Sequence, residues 1–99
     1  METQNARIAS SMLGFEDHGI FTFMLFCEGD GWGQGFGGWV LGENPSTVAG
    51  LKLLLKTLEV ETWENLKGQA VRVRREDSRL VSVGHLLKEK WFTPHEVWK

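Results

Sequence analysis

Four arginines crowd one short stretch of the chain: Arg72, Arg74 and Arg75, with Arg79 just across a turn. A guanidinium presents a planar fork of donors that matches a phosphate or a carboxylate. Glu16, Asp17 and His18 adjoin one another between Gly14 and Gly19. A carboxylate beside an imidazole can move protons, but Asp at a turn also bonds its own backbone, and the turn role is the favoured one. The segment 28–38 carries Gly at 29, 31, 33, 35, 37 and 38, with Asp30, Trp32, Gln34 and Phe36 on the alternate phase. Such a ribbon, bare on one face, lets a planar ligand lie on aromatic rings beside reachable backbone N–H groups. Equally, the glycines relieve crowding in a curved or bulged strand under a helix.

Other chemistries are disfavoured by context. Gly33-Gln34-Gly35-Phe36-Gly37-Gly38 matches GxGxxG, but a dinucleotide site needs a helix to follow at once, and Trp39-Val40-Leu41 resumes a strand. No GxxxxGK[ST] motif occurs. His18, His85, His95 and Cys27 show no metal-ligand spacing. His85 falls on the apolar phase of its strand and reads as a core histidine with a hydrogen-bond partner. No catalytic residue, metal ligand or cofactor is assigned, and a binding protein is favoured over an enzyme.

The elements that position these residues follow from periodicity. Residues 6–13 read as a strand, GFEDHG as a tight antiparallel connection, and residues 20–27 as a central strand apolar on both faces. The glycine-rich segment reads as the long return strand of a hairpin. Val48, Leu51, Leu55 and Leu58, with Leu54 beside them, mark an amphipathic helix starting near Pro45 or Ser46, with Asn44 or Ser46 as its cap. Thr62 to Gly68 has the form of a short capped turn. Residues 69–76 alternate, with Val71 and Val73 inward and Arg72 and Arg74 outward, and residues 79–87 return as a strand. The tail, with Trp91, Phe92 and Trp98, is a docking segment or an oligomer contact. The order β-β-β-α-β-β predicts an α+β fold: an antiparallel sheet of about five strands under one principal helix.

Composition sets the frame. Ninety-nine residues make one domain, spanning 1–99. A lone Cys27 excludes an intrachain disulfide and fits a reducing cytosol. The start METQNARIAS lacks a signal-peptide pattern, and no apolar run approaches a membrane span, so a cytoplasmic protein with no membrane partner is expected. Residues 1–66 carry three basic and nine acidic residues, whereas residues 67–99 carry eight basic and four acidic. Three or four arginines on an acidic chain serve a duplex nucleic acid poorly but suffice for one small phosphorylated ligand.

The blocks SSMLGFEDHGIFTFML, GWGQGFGGWVL, TWENLKGQAVRVR and VGHLLKEKWF span most of the chain. With them the sequence resembles a family of small proteins encoded by tailed phages and prophages, for most of which no function is assigned. In size and architecture it is also similar to the phage sponges that sequester the cyclic ADP-ribose signal of Thoeris immunity. The resemblance implies a homo-oligomeric counter-defence protein in the host bacterial cytosol that captures a small phosphorylated nucleotide. Arg72 and Arg74 would then contact phosphate, Trp32 or Phe36 would stack on the base beside Gln34, and Asp17 or His18 would bond ribose. The alternatives are an inhibitor of a host protein acting through the Trp-rich tail and loop, and a small nucleotide-acting enzyme using Asp17, His18 or His85.

Overall fold

The computed structural model describes residues 2–42 and 45–97. Alternation builds its centre: Phe23, Leu25 and Cys27 of β2 (Phe21–Gly29) are fully buried on one face, and Val71 and Val73 of β4 (Ala70–Glu76) continue that face. The remaining strands are β1 (Glu2–Phe15), β3 (Trp32–Val40), β5 (Arg79–His85) and the two-residue β6 (Trp91–Phe92). All pair antiparallel in the order β3-β2-β1-β4-β5-β6. The long β1 serves both halves, pairing with β4 through its first six residues and with β2 from Arg7 onward. The sheet thus has six strands where the sequence predicts about five. The sixth comes from the tail, whose Phe92 is buried by the domain itself. Trp98 and Asn44 lie outside the described residues.

The sheet does not stay flat. Extra residues at Ala9, Gly38 and Val81 interrupt three of its ladders, and bulges of this kind bend a strand and raise its twist. Gly37 and Gly38 reach φ 127° and 87° at the β3 bulge, a region side chains disfavour, and a Cβ on Gly37 would meet the Trp39 ring at 2.6 Å. The consequence is large. Trp39 on one edge strand and Phe92 on the other, five positions apart, would be about 24 Å apart across a flat sheet. Their rings stand edge to face at 5.7 Å. The sheet curls into an open barrel, and helix α1 (Pro45–Leu58) packs against its β5–β6 side and adds Leu54 and Leu58 to the core.

Helix α1 inserts Leu54 and Leu58, with Thr57 and Gly50 buried on the same side. The buried stripe is therefore rotated from the expected one, and Val48 stays exposed at the rim. The helix ends in a Schellman turn: Val60 N donates to Leu55 O and Glu59 N to Lys56 O, with Glu59 at φ 56°. A 3₁₀ turn over Trp63–Asn65 follows, and Thr62 makes no side-chain cap bond to it. A short α2 (Pro94–Val97) follows β6, and the Ser82 and Thr93 hydroxyls, 2.7 Å apart, tie its start to β5. Among the described residues no helix is long and apolar enough to cross a membrane.

Candidate functional site

The open barrel leaves a seam. β3 is the outermost strand of the sheet, and β5 has a partner on its far side only at Val83 and Gly84. The edges of residues 34–37 and 79–82 are thus free of ladder partners, and buried or half-buried backbone groups demand hydrogen bonds. Between them lies a cleft of about 530 Å³, within the usual range for a small-molecule site. One wall is Gln34, Gly35, Phe36, Gly37 and Trp39; the other is Glu76, Asp77, Arg79, Leu80 and Val81, with Pro94 and His95 at the end. Phe36 is 6% exposed and meets Trp39 edge to face at 5.1 Å, so the pair forms a fixed apolar wall. Arg79 and two carboxylates stand opposite it. Such a cleft offers an aromatic edge, acceptors for hydroxyls and one cationic fork, and its mixed sign suits a ligand of few charges.

The residues singled out by sequence fall in four places. Gln34 and Phe36 line the seam. Trp32 shares their face of β3, but its ring is engaged: Arg75 lies over it at 4.2 Å, its Nε1 donates to Gln4 Oε1 at 2.9 Å, and it rests on Gly29, where a Cβ would come within 2.5 Å. Arg72 and Arg74 project from the opposite, convex face. Arg72 donates to His85 O (3.0 Å), Lys88 O (2.8 Å) and Glu89 Oε1 (2.8 Å), and both guanidiniums sit over Trp91, at 4.9 and 3.8 Å. Arg72 is committed to holding the loop between β5 and β6. Asp17 and His18 lie on the β1–β2 turn, at the far end of β2 from Trp32, a strand about 25 Å long. There Glu16, not Asp17, closes the turn by accepting from the His18 and Ile20 amides, and the His18 ring, helped by these amides, holds its carboxyl below the usual range.

The alternating glycines have a structural occupant. On the convex face a Cβ at Gly33 would press on the Phe26 ring and one at Gly35 on the Met24 methyl, at 3.2 and 3.1 Å. Side chains of β2 fill the bare face of β3. A second hollow, of about 630 Å³, lies by Arg74, Trp91, Thr93 and Leu53, but Glu89 and Glu96 also line it and Arg74 already covers the Trp91 ring.

The remaining reactive groups are occupied as well. His85 Nδ1 accepts from the Leu87 and Lys88 amides at 3.1 Å each, and its Nε2 lies 3.5 Å from Glu59. Nδ1 is thus committed to the loop amides, and Nε2 faces a carboxylate already held by Lys88 and Lys90. Cys27 is fully buried, and burial pushes its thiol up to about 12. Among the described residues no cluster of three or more His, Cys, Asp or Glu is placed to hold a metal ion. Trp39, Glu76, Asp77, Arg79 and His95 line the seam without having been assigned a site role from sequence. Arg79 carried a signal, since a turn returns it to face the strand edge, whereas His95 reaches the seam only through the packing of the tail. Comparison with known proteins finds no match to a family model, to a curated protein or to a solved structure.

Proposed function

We propose that the chain is a binding protein that captures a small phosphorylated nucleotide in the seam of its open barrel. On this reading it is a phage or prophage counter-defence factor, homo-oligomeric and at work in the host cytosol, and its ligand is a signal of the cyclic nucleotide or cyclic ADP-ribose type. The observation that carries the reading is the seam itself. A cleft of nucleotide size has an aromatic wall, two unpaired strand edges and a charged hairpin facing them. The roles differ from those the sequence suggests. Phe36 and Trp39 bound the base, Glu76 or Asp77 accepts from ribose hydroxyls, and Arg79 contacts phosphate; Arg72 and Asp17 are remote. The test is a melting screen against cyclic di- and trinucleotides, ADP-ribose and its cyclic isomers. At a hundredfold excess over Kd a ligand adds about 2.7 kcal/mol, which raises Tm by roughly 10 °C or more in a domain of this size. One class should shift the melt and be recovered intact. Recovery as a product would instead identify an enzyme.

A second reading, inhibition of a host protein, rests on a different surface. Leu13, Phe15, Ile20, Phe21 and Val40 are exposed around the hairpin end of the sheet, Phe15 at 75%, with the Phe15 and Phe21 rings 5.0 Å apart. An apolar patch of this kind suits a protein contact. Phe92 of the tail is turned into the fold and Trp91 is covered by arginines, so this reading moves from the tail to the hairpin. Capture of one stoichiometric host protein, lost in Phe15→Ser, with a flat nucleotide screen, would favour it.

A further inference from the structure

Arg75 differs from the other arginines of its strand. Arg72 is bonded to two carbonyls and a carboxylate, and Arg74 shares the convex face with it. Arg75 alternates onto the concave face, where its guanidinium lies on the Trp32 ring at 4.2 Å. No carboxylate stands within ion-pair distance of it among the described residues; its cross-strand neighbour Glu2 is engaged with Gln4. Among the described residues its Nε is buried with no hydrogen-bond partner, and the terminal nitrogens make no hydrogen bond. A buried donor without a partner is rare in a native fold, and one on a charged group is costly. Here the cost is offset by the indole, which Gln4 and Gly29 hold in place.

The surroundings show where this fork lies. Leu80, the cross-strand partner of Arg75, lines the seam, and so does Gln34, two residues along β3 from Trp32 on the same face. The guanidinium therefore lies beside the Gln34 end of the seam, next to residues that line it, and its terminal nitrogens make no hydrogen bond among the described residues. The geometry points to Arg75, held over the Trp32 ring, as an anchor for one phosphoryl group of a ligand in the seam, with two parallel N–H donors to its oxygens. This rests on the nucleotide reading and deepens it: Arg79, exposed on the hairpin, steers the anion, whereas the half-buried Arg75 fixes it.

The experiment measures binding of adenosine, ADP and inorganic pyrophosphate by calorimetry, for the wild-type protein and Arg75→Lys. In parallel, the ¹⁵N–¹H resonance of the Arg75 Nε is followed in the wild type as pyrophosphate is added. Arg75→Lys keeps the charge and loses the fork, so ADP and pyrophosphate should bind roughly tenfold more weakly or worse, with adenosine unaffected. The Nε resonance should move in the wild type, a readout that does not depend on the variant folding. Equal affinities in the two proteins with an unmoved Nε resonance would overturn the inference, as would a wild type that binds neither ADP nor pyrophosphate. Pyrophosphate bound through Arg75 with no nucleotide binding would support the anchor and refute the nucleotide reading; nucleotide binding that ignores Arg75→Lys would do the reverse.

Discussion

Arg72 and Arg74 are equivalent in the sequence, two outward arginines of one strand, and the fold gives them different work. Arg72 spends its donors on two backbone carbonyls and Glu89, and so holds the loop that carries β6 into place. Arg74 lies on Trp91 with no hydrogen bond of its own among the described residues. Arg72→Ala should therefore cost about 2 kcal/mol, from lost bonds to a charged donor and two carbonyls left unpaired. Arg74→Ala should cost under about 1 kcal/mol. Urea unfolding of the two variants checks this, and equal losses would deny Arg72 its structural role. The outward phase of both side chains was legible from the alternation of residues 69–76. Their partners were not, because Trp91, Lys88 and Glu89 arrive from a loop whose path only the packed fold defines.

At the scale of elements, the end of α1 shows how an acidic residue sits where glycine is usual. Glu59 takes the left-handed position of the Schellman turn, and its carboxylate receives Lys88 and Lys90 from the β5–β6 loop, with His85 beside them. Hydrogen bonds from Lys88, then Lys90, bring its carboxyl from an ordinary 4.5 down to about 2. A carboxyl depressed in the folded state contributes stability that is fully present above its unfolded value and disappears as pH falls through the folded one. Glu59→Gln should thus melt below the wild type at pH 6, and the gap should narrow as pH drops from 4.5 toward 2. A gap constant over that window would show that the ion cluster does not link helix to loop. The helix itself was legible from its leucines, yet its orientation was not: Gly50 and Thr57 join the buried side, and the barrel's curvature, not the apolar stripe, decides which side faces in. β6 was illegible for a related reason, since two residues carry no period and pair only because β5 offers them an edge.

For the whole molecule, curvature is the property that matters. Three single-residue bulges turn a six-stranded sheet into an open barrel, and the seam exists because β3 and the first half of β5 approach without pairing. The sequence carried the α+β class, five of the six antiparallel strands and two of the seam's residues, Gln34 and Phe36. It dispersed the rest of the expected site because strand phase says which side a residue faces locally and nothing about which distant strand curls toward it. Trp32 and Arg72 sit on opposite sheet faces, and His18 lies a full strand length from Trp32. The most direct test of the seam is an amide ¹H–¹⁵N titration with the nucleotide that gives the largest melting shift. The perturbed amides should cluster at residues 34–37, 79–81 and 95. Perturbations confined to residues 13–21, or to the convex face around Arg74 and Trp91, would contradict it.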